Sequence, residues 1–155
     1  MYNARDHMNS LLRLLSEKLK LGGLVLDDQG AASLKIDGQT CTLQCYEDGR
    51  EAYFINRLGL LPSEAGMRAG TTAWLLDRNC FFRGVGPGVL GVNQGEDAIW
   101  YCARLGLDTL EYDDFEAFLL AVADMSDRLR RELAAVPGLE TGTAETENTD
   151  ILLRI

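Results

Sequence analysis

The sequence predicts an α+β domain in which an antiparallel sheet carries three helices, in the order helix, three or four strands, helix, two strands, helix. Three observations predict it. Apolar residues recur at helical spacing near the start and again after residue 113. Between them lie stretches that alternate apolar with polar residues and are separated by Asp-Gly pairs. A glycine-weakened helical stretch then divides the strands into two groups.

The first helix is expected from Arg5 to Leu21, with Met8, Leu11, Leu12, Leu15 and Leu19 on one face and Arg13, Glu17 and Lys18 among them. Gly22-Gly23 should end it. Leu24-Val25-Leu26 reads as a short strand stopped by the turn composition Asp27-Asp28-Gln29-Gly30. Ala32, Leu34 and Ile36 alternate with Ser33, Lys35 and Asp37. Asp37-Gly38 favours a tight hairpin turn, because both residue types accept positive φ. Cys41, Leu43 and Cys45 alternate with Thr40, Thr42 and Gln44 on the returning strand. Asp48-Gly49 makes another turn, and Ala52-Tyr53-Phe54-Ile55 another strand, giving a meander with one buried face.

Leu58-Gly59-Leu60-Leu61-Pro62 breaks that pattern. A second helix is expected from Glu64 to Asn79. Gly66, Gly70, Thr71 and Thr72 all weaken it, so tertiary or intersubunit packing must hold it. Two strands follow, at Val89–Asn93 and Ala98–Leu105, joined by Asn93-Gln94-Gly95-Glu96. The last helix should open at Asp113, where Asp113 and Glu116 have capping-box spacing. Its buried stripe is Phe115, Phe118, Leu119, Val122, Met125, Leu129 and Leu133, and Val136-Pro137-Gly138 stops it. Residues 1–137 thus form one domain. Residues 138–155 read as an acidic, disordered tail, whose closing pentad Ile151-Leu152-Leu153-Arg154-Ile155 is apolar with no docking place legible.

Charge and composition exclude several functions. A formal net charge of −9 over 155 residues is the opposite of the basic face that nucleic acid requires, and it disfavours anionic membrane surfaces. No run reaches the roughly 18 apolar residues of a membrane span. The charged opening lacks the apolar stretch of a secretory signal, so a cytoplasmic location is expected. Cys41, Cys45, Cys80 and Cys102 form no C-x-x-C pair, and His7 lies far from them in sequence. They read as reduced thiols packed like small apolar groups, with no metal site.

Gly86-Pro87-Gly88-Val89-Leu90-Gly91 matches G-x-G-x-x-G literally. A dinucleotide site needs that motif to open a helix, whereas here it leads into a strand and a turn, and Pro87 removes a backbone donor. Asp27-Asp28 and Asp113-Asp114 fit turn and cap roles better than an acid–base pair, which must converge on one substrate. His7 sits near a terminus expected to fray, and no serine has G-x-S-x-G context. Neither an enzyme nor a cofactor is expected.

Large apolar groups are more informative. Trp74, Leu75, Phe81, Phe82, Val89, Leu90, Trp100 and Tyr101 cluster in one half of a small domain. Either they are core, or some line a subunit interface, where Trp and Tyr are enriched.

Several stretches, in this order, resemble the class I type III secretion chaperones of the Tir chaperone family. They are Leu11-Leu12-Arg13-Leu14-Leu15 through Leu21-Gly22-Gly23-Leu24, then Leu26-Asp27-Asp28-Gln29-Gly30 through Leu34-Lys35-Ile36-Asp37. Leu58-Gly59-Leu60-Leu61-Pro62, Leu75-Leu76-Asp77-Arg78-Asn79, Leu90-Gly91-Val92-Asn93 and the lead from Leu107 to Phe115 continue the likeness. Together they cover about residues 8 to 135, and order and spacing make them specific where each alone is weak. The glycine-rich second helix, Gly86-Pro87-Gly88 and the acidic tail depart from the family pattern.

The resemblance implies a curved sheet, a homodimer with the second helix and following strand at its interface, and a secreted effector as partner. The effector's N-terminal segment would be held in extended form over apolar patches, through strand pairing and side-chain pockets. It implies Leu11, Leu15, Leu24, Leu26, Leu34, Ile36 and Phe54 as effector-binding residues, and Trp74, Leu75, Leu90, Val92 and Trp100 as the dimer contact. Docking to the secretion ATPase is a further family expectation. A regulatory module that sequesters a control protein of the same system is the alternative.

Overall fold

The computed structural model describes residues 3–36, 38–46, 49–136 and 152–153. Helix α1 (Ala4–Leu19) is followed by strands β1 (Ala31–Ile36), β2 (Gln39–Cys45) and β3 (Glu51–Leu60). Helix α2 (Ala65–Asn79) and a 3-10 turn (Cys80–Phe82) lead to β4 (Gly88–Asn93), β5 (Ala98–Gly106) and helix α3 (Tyr112–Ala134). A two-residue strand, β6 (Leu152–Leu153), completes an open sheet of order β4-β5-β3-β2-β1-β6. The predicted α+β class and element order are therefore observed, with β6 as an addition.

Period-two alternation sets one face. Leu34 lies opposite Cys41, Leu43 opposite Phe54, and Phe54 opposite Ala103, and all of them are buried. Helices α1 and α3 cover this face. From α1 come Met8, Leu11, Leu12 and Leu15; from α3 come Phe115, Leu119, Val122, Leu129 and Leu133. The Phe54 ring meets Phe115 and Phe118 at centroid distances of 6.5 and 5.3 Å. Each is an aromatic pair that adds to the area it buries.

Four expectations change in the structure. Helix α1 stops at Lys20 and not at Gly22-Gly23: Lys20 takes the left-handed conformation (φ 54°), and the Leu21 N–H bonds to the Ser16 carbonyl at 2.9 Å. Leu24-Val25-Leu26 is not a strand. Its amides are taken by α1 side chains instead, with Leu24 N–H donating to Ser16 Oγ (2.9 Å) and Leu26 N–H to Asn9 Oδ1 (2.8 Å). Helix α3 starts at Tyr112 behind Glu111, with no side-chain cap, so the Asp113–Glu116 capping box is not formed. Asp113 and Asp114 lie in the first turn, where negative charge suits the helix dipole. His7 is not at a frayed end: Nε2 lies 3.0 Å from the Leu110 carbonyl, tying α1 to the segment before α3.

Where glycine is required, the reason is close approach. A Cβ on Gly30 (φ 78°) would meet the Cys45 carbonyl oxygen at 2.2 Å, so the turn after Asp27 admits no side chain there. Gly38, at φ 79°, closes the β1–β2 connection; Asp37 and Asp48 of the predicted turns lie outside the described residues. So do residues 137–151, which hold most of the predicted disordered tail.

Candidate protein-docking surface

The seven residues expected to bind an effector share one property in the folded chain. Leu11, Leu15, Leu24, Leu26, Leu34, Ile36 and Phe54 are all buried in the core of this chain. As placed they are not open patches: Leu34, Ile36 and Phe54 lie on the covered face of the sheet, and Leu11, Leu15, Leu24 and Leu26 pack into the same core. The physical reason is plain. Alternation along a half-buried strand marks apolar positions, and those turn inward first.

The expected dimer residues divide. Leu75 and Leu90 are buried in the same core, while Trp74 and Trp100 are half-buried. Val92 is exposed. Large apolar side chains left open near them are Leu76, Phe81, Phe82 and Val89, with 66%, 80% and 69% exposure for the first three. Sequence reasoning had noted Phe81, Phe82 and Val89 in the apolar surplus without assigning them to the contact, and had missed Leu76. Leu75 and Leu76 are adjacent on a helix, so only one can face inward. Nothing in the sequence says which.

Several polar links fix this α2–β4 rim. Glu64 caps α2, its carboxylate accepting from Gly66 N–H (2.9 Å) and Met67 N–H (2.7 Å). Those bonds hold the Glu64 carboxyl below the usual range. Arg68 reaches Asp97 at 2.5 Å, lowering the Asp97 pKa and raising that of Arg68. Asn79 closes the outer edge of β4, its Nδ2 donating to the Leu90 carbonyl (2.8 Å) while Leu90 N–H donates to Asn79 Oδ1 (2.9 Å). Arg78 stacks over Trp74 at 5.2 Å and pairs with Glu132 at 2.9 Å, joining α2 to α3.

Phe81 and Phe82 both take positive φ, 55° and 56°. Aromatic residues rarely occupy that region, so both are held there by the turn between α2 and β4. Arg83 lies 5.4 Å above the Phe81 ring.

The motifs that could suggest chemistry have structural roles. Gly88 lets the backbone pass against Tyr101, whose ring would sit 2.6 Å from a Cβ, and the Tyr101 hydroxyl donates to the Val85 carbonyl at 2.8 Å. Burial pushes the Tyr101 hydroxyl up to about 12. Asp27 Oδ1 accepts from Gln29 and Ala31 N–H, both at 2.9 Å, as a turn-forming side chain. Burial drives the Cys41 thiol up to about 12 and raises Cys45 and Cys102, the reverse of a reactive thiolate. Among the described residues no cluster of His, Cys, Asp and Glu could hold a metal, and no helix is long and apolar enough to cross a membrane.

Comparison with known proteins agrees with this picture. The structure resembles the ExsC–ExsE complex chain with a TM-score of 0.72 at 21% identity, covering 88% of this chain and 98% of that one. It resembles a chain of the heterodimeric ExoU–SpcU complex from the type III secretion system of Pseudomonas aeruginosa with a TM-score of 0.59 at 21% identity, covering 86% and 98%. It also resembles YbjN, a putative transcription regulator from E. coli, at a TM-score of 0.63 and 14% identity, covering 84% and 94%. At these identities the likeness is one of fold. A search of curated protein sequences found no match. The model of the Tir chaperone protein (CesT) family matches residues 10–130, which hold strands β1 to β5, helix α2 and most of α1 and α3, and the chain belongs to that family.

Proposed function

We propose that the chain is a cytoplasmic type III secretion effector chaperone, which works as a homodimer and holds the N-terminal segment of an effector in extended form. Family membership supports the reading, as does a fold shared with a chain of the HopA1–SchA chaperone–effector complex. The observation that carries it is the α2–β4 rim. Two adjacent phenylalanines stand open to solvent on backbone that disfavours them. Such strain costs about 1–3 kcal/mol per residue and concentrates at functional sites.

A second copy covers that rim best. Closed oligomers of one chain are most often two-fold, and in such a pair the same patch meets itself. Leu76, Phe81, Phe82, Val89 and Val92 then supply the contact, with Trp74 and Trp100 at its margin. Leu75 and Leu90 support it from within the core. The effector segment contributes backbone hydrogen bonds to a sheet edge and places alternate side chains against apolar surface. Its own aggregation-prone residues stay covered until export.

The test is capture of the full tagged chain from its native host, read by mass spectrometry, with truncations of whatever is recovered. Recovery of a protein that binds through its N-terminal region is the expected result. Recovery of a small molecule alone would overturn the reading. A module that sequesters a control protein would use the same surfaces, and its bound partner would stay inside the cell.

A further inference from the structure

The two edges of the sheet are closed in different ways. At β4 the edge is capped at Leu90, where Asn79 bonds both the N–H and the carbonyl. At β1 the outer edge is met by the chain's own C-terminal segment, β6, which pairs in parallel with Lys35 opposite Leu152 and Ile36 opposite Leu153. An open edge strand is a template for any extended chain, and folded proteins close such edges or block them. Here the Lys35–Ile36 end of β1 is paired by a segment that follows α3 in the sequence.

From this pairing we infer that β6 is a resident stand-in for client: the C-terminal segment occupies the β1 edge in cis, and an incoming extended segment must displace it. The inference rests on the chaperone reading above and adds a regulated state to it. Three features make the segment fit. It is the apolar run Ile151-Leu152-Leu153, ending a stretch that carries Glu140, Glu145, Glu147 and Asp150 and no Lys or Arg. It already adopts strand pairing, the mode by which an extended peptide adds to a sheet edge. Among the described residues two pairs hold it, so a strand that runs the length of β1 would make more pairs and displace it.

Attachment to the same chain makes the docking intramolecular, with an effective concentration on the order of millimolar for a short linker. A weak, tethered strand therefore keeps stray peptides off the edge, while a client that makes more contacts wins. Pairing at the Lys35–Ile36 end also guards an unloaded chaperone against edge-to-edge aggregation.

The test uses the full chain and its own C-terminal sequence as probe, so no client needs to be known. Hydrogen exchange is compared between wild type and the Leu152→Pro/Leu153→Pro double variant, which lacks both β6 amide donors. The Lys35–Ile36 end of β1, where β6 pairs, should exchange faster in the variant, while β3 and β5 keep their protection and certify the fold. A fluorescein-labelled peptide of residues 149–155 should then bind the variant at least ten-fold more tightly than wild type. Unchanged exchange at Lys35 and Ile36 would overturn the inference, as would equal affinity of the peptide for the two proteins, including binding to neither. Client binding is not read in this experiment, so its failure leaves the export reading to its own test.

Discussion

Phe54 sits at the centre of the sheet, fully buried between β2 and β5 partners and under the rings of Phe115 and Phe118. Its truncation leaves a cavity that packed strands cannot close, so Phe54→Ala should cost about 3–5 kcal/mol. Urea unfolding at equilibrium checks this. A loss below about 1 kcal/mol would mean that Phe54 is not packed as described. The same reasoning changes how the apolar residues of the sequence should be tested. Leu24→Asp or Ile36→Asp would place a charge in the core, and any loss of binding would report unfolding. Residue identity was legible at Leu11, Leu34 and Phe54 as apolar, but not whether each faced the core or a partner. That choice depends on which face the helices cover. It is set by α1 and α3, far away in sequence.

At the scale of elements, α2 shows what propensity alone cannot settle. Its glycines and threonines weaken it, and the sequence accordingly demanded outside support; the structure supplies Glu64 at the cap, Arg68–Asp97, Arg78–Glu132 and Asn79 on β4. Two of these links titrate. Glu64 and Asp97 both have pKa values lowered in the folded chain, so the folded state binds their protons more weakly than the unfolded one. The stability they contribute is full above the ordinary carboxylate range and is lost as pH falls through their depressed values. The stability gap between wild type and the Glu64→Gln/Asp97→Asn variant should therefore be present at neutral pH and shrink on acidification. Urea midpoints measured from about pH 7 down to about pH 3 read this directly. A gap independent of pH would show that the two carboxylates do not anchor α2. Strands β1 to β5 were legible because alternation and turn residues agree. The Leu24–Leu26 segment was misread because its amides go to Ser16 and Asn9, side chains of a helix, and no local pattern announces that.

For the molecule as a whole, family and element order were legible from the spacing of several short stretches, while the exposed apolar rim proposed as the contact was not. Leu76, Phe81 and Phe82 stand out only once α2 and β4 are packed together. If this rim joins two copies, light scattering should give twice the 17.1 kDa chain mass for wild type. The Phe81→Asp/Phe82→Asp variant should give a folded species of single-chain mass, since both side chains are exposed and contribute little to the core. A variant that keeps the wild-type mass would move the contact elsewhere. On the proposed function, the bound protein is held for export. This is tested most directly by measuring how much of the captured partner appears outside the host, with and without this chaperone. The partner should be synthesised in both strains, and its export should be lost, or fall at least ten-fold, without the chaperone. Export at an undiminished level in its absence would contradict the account.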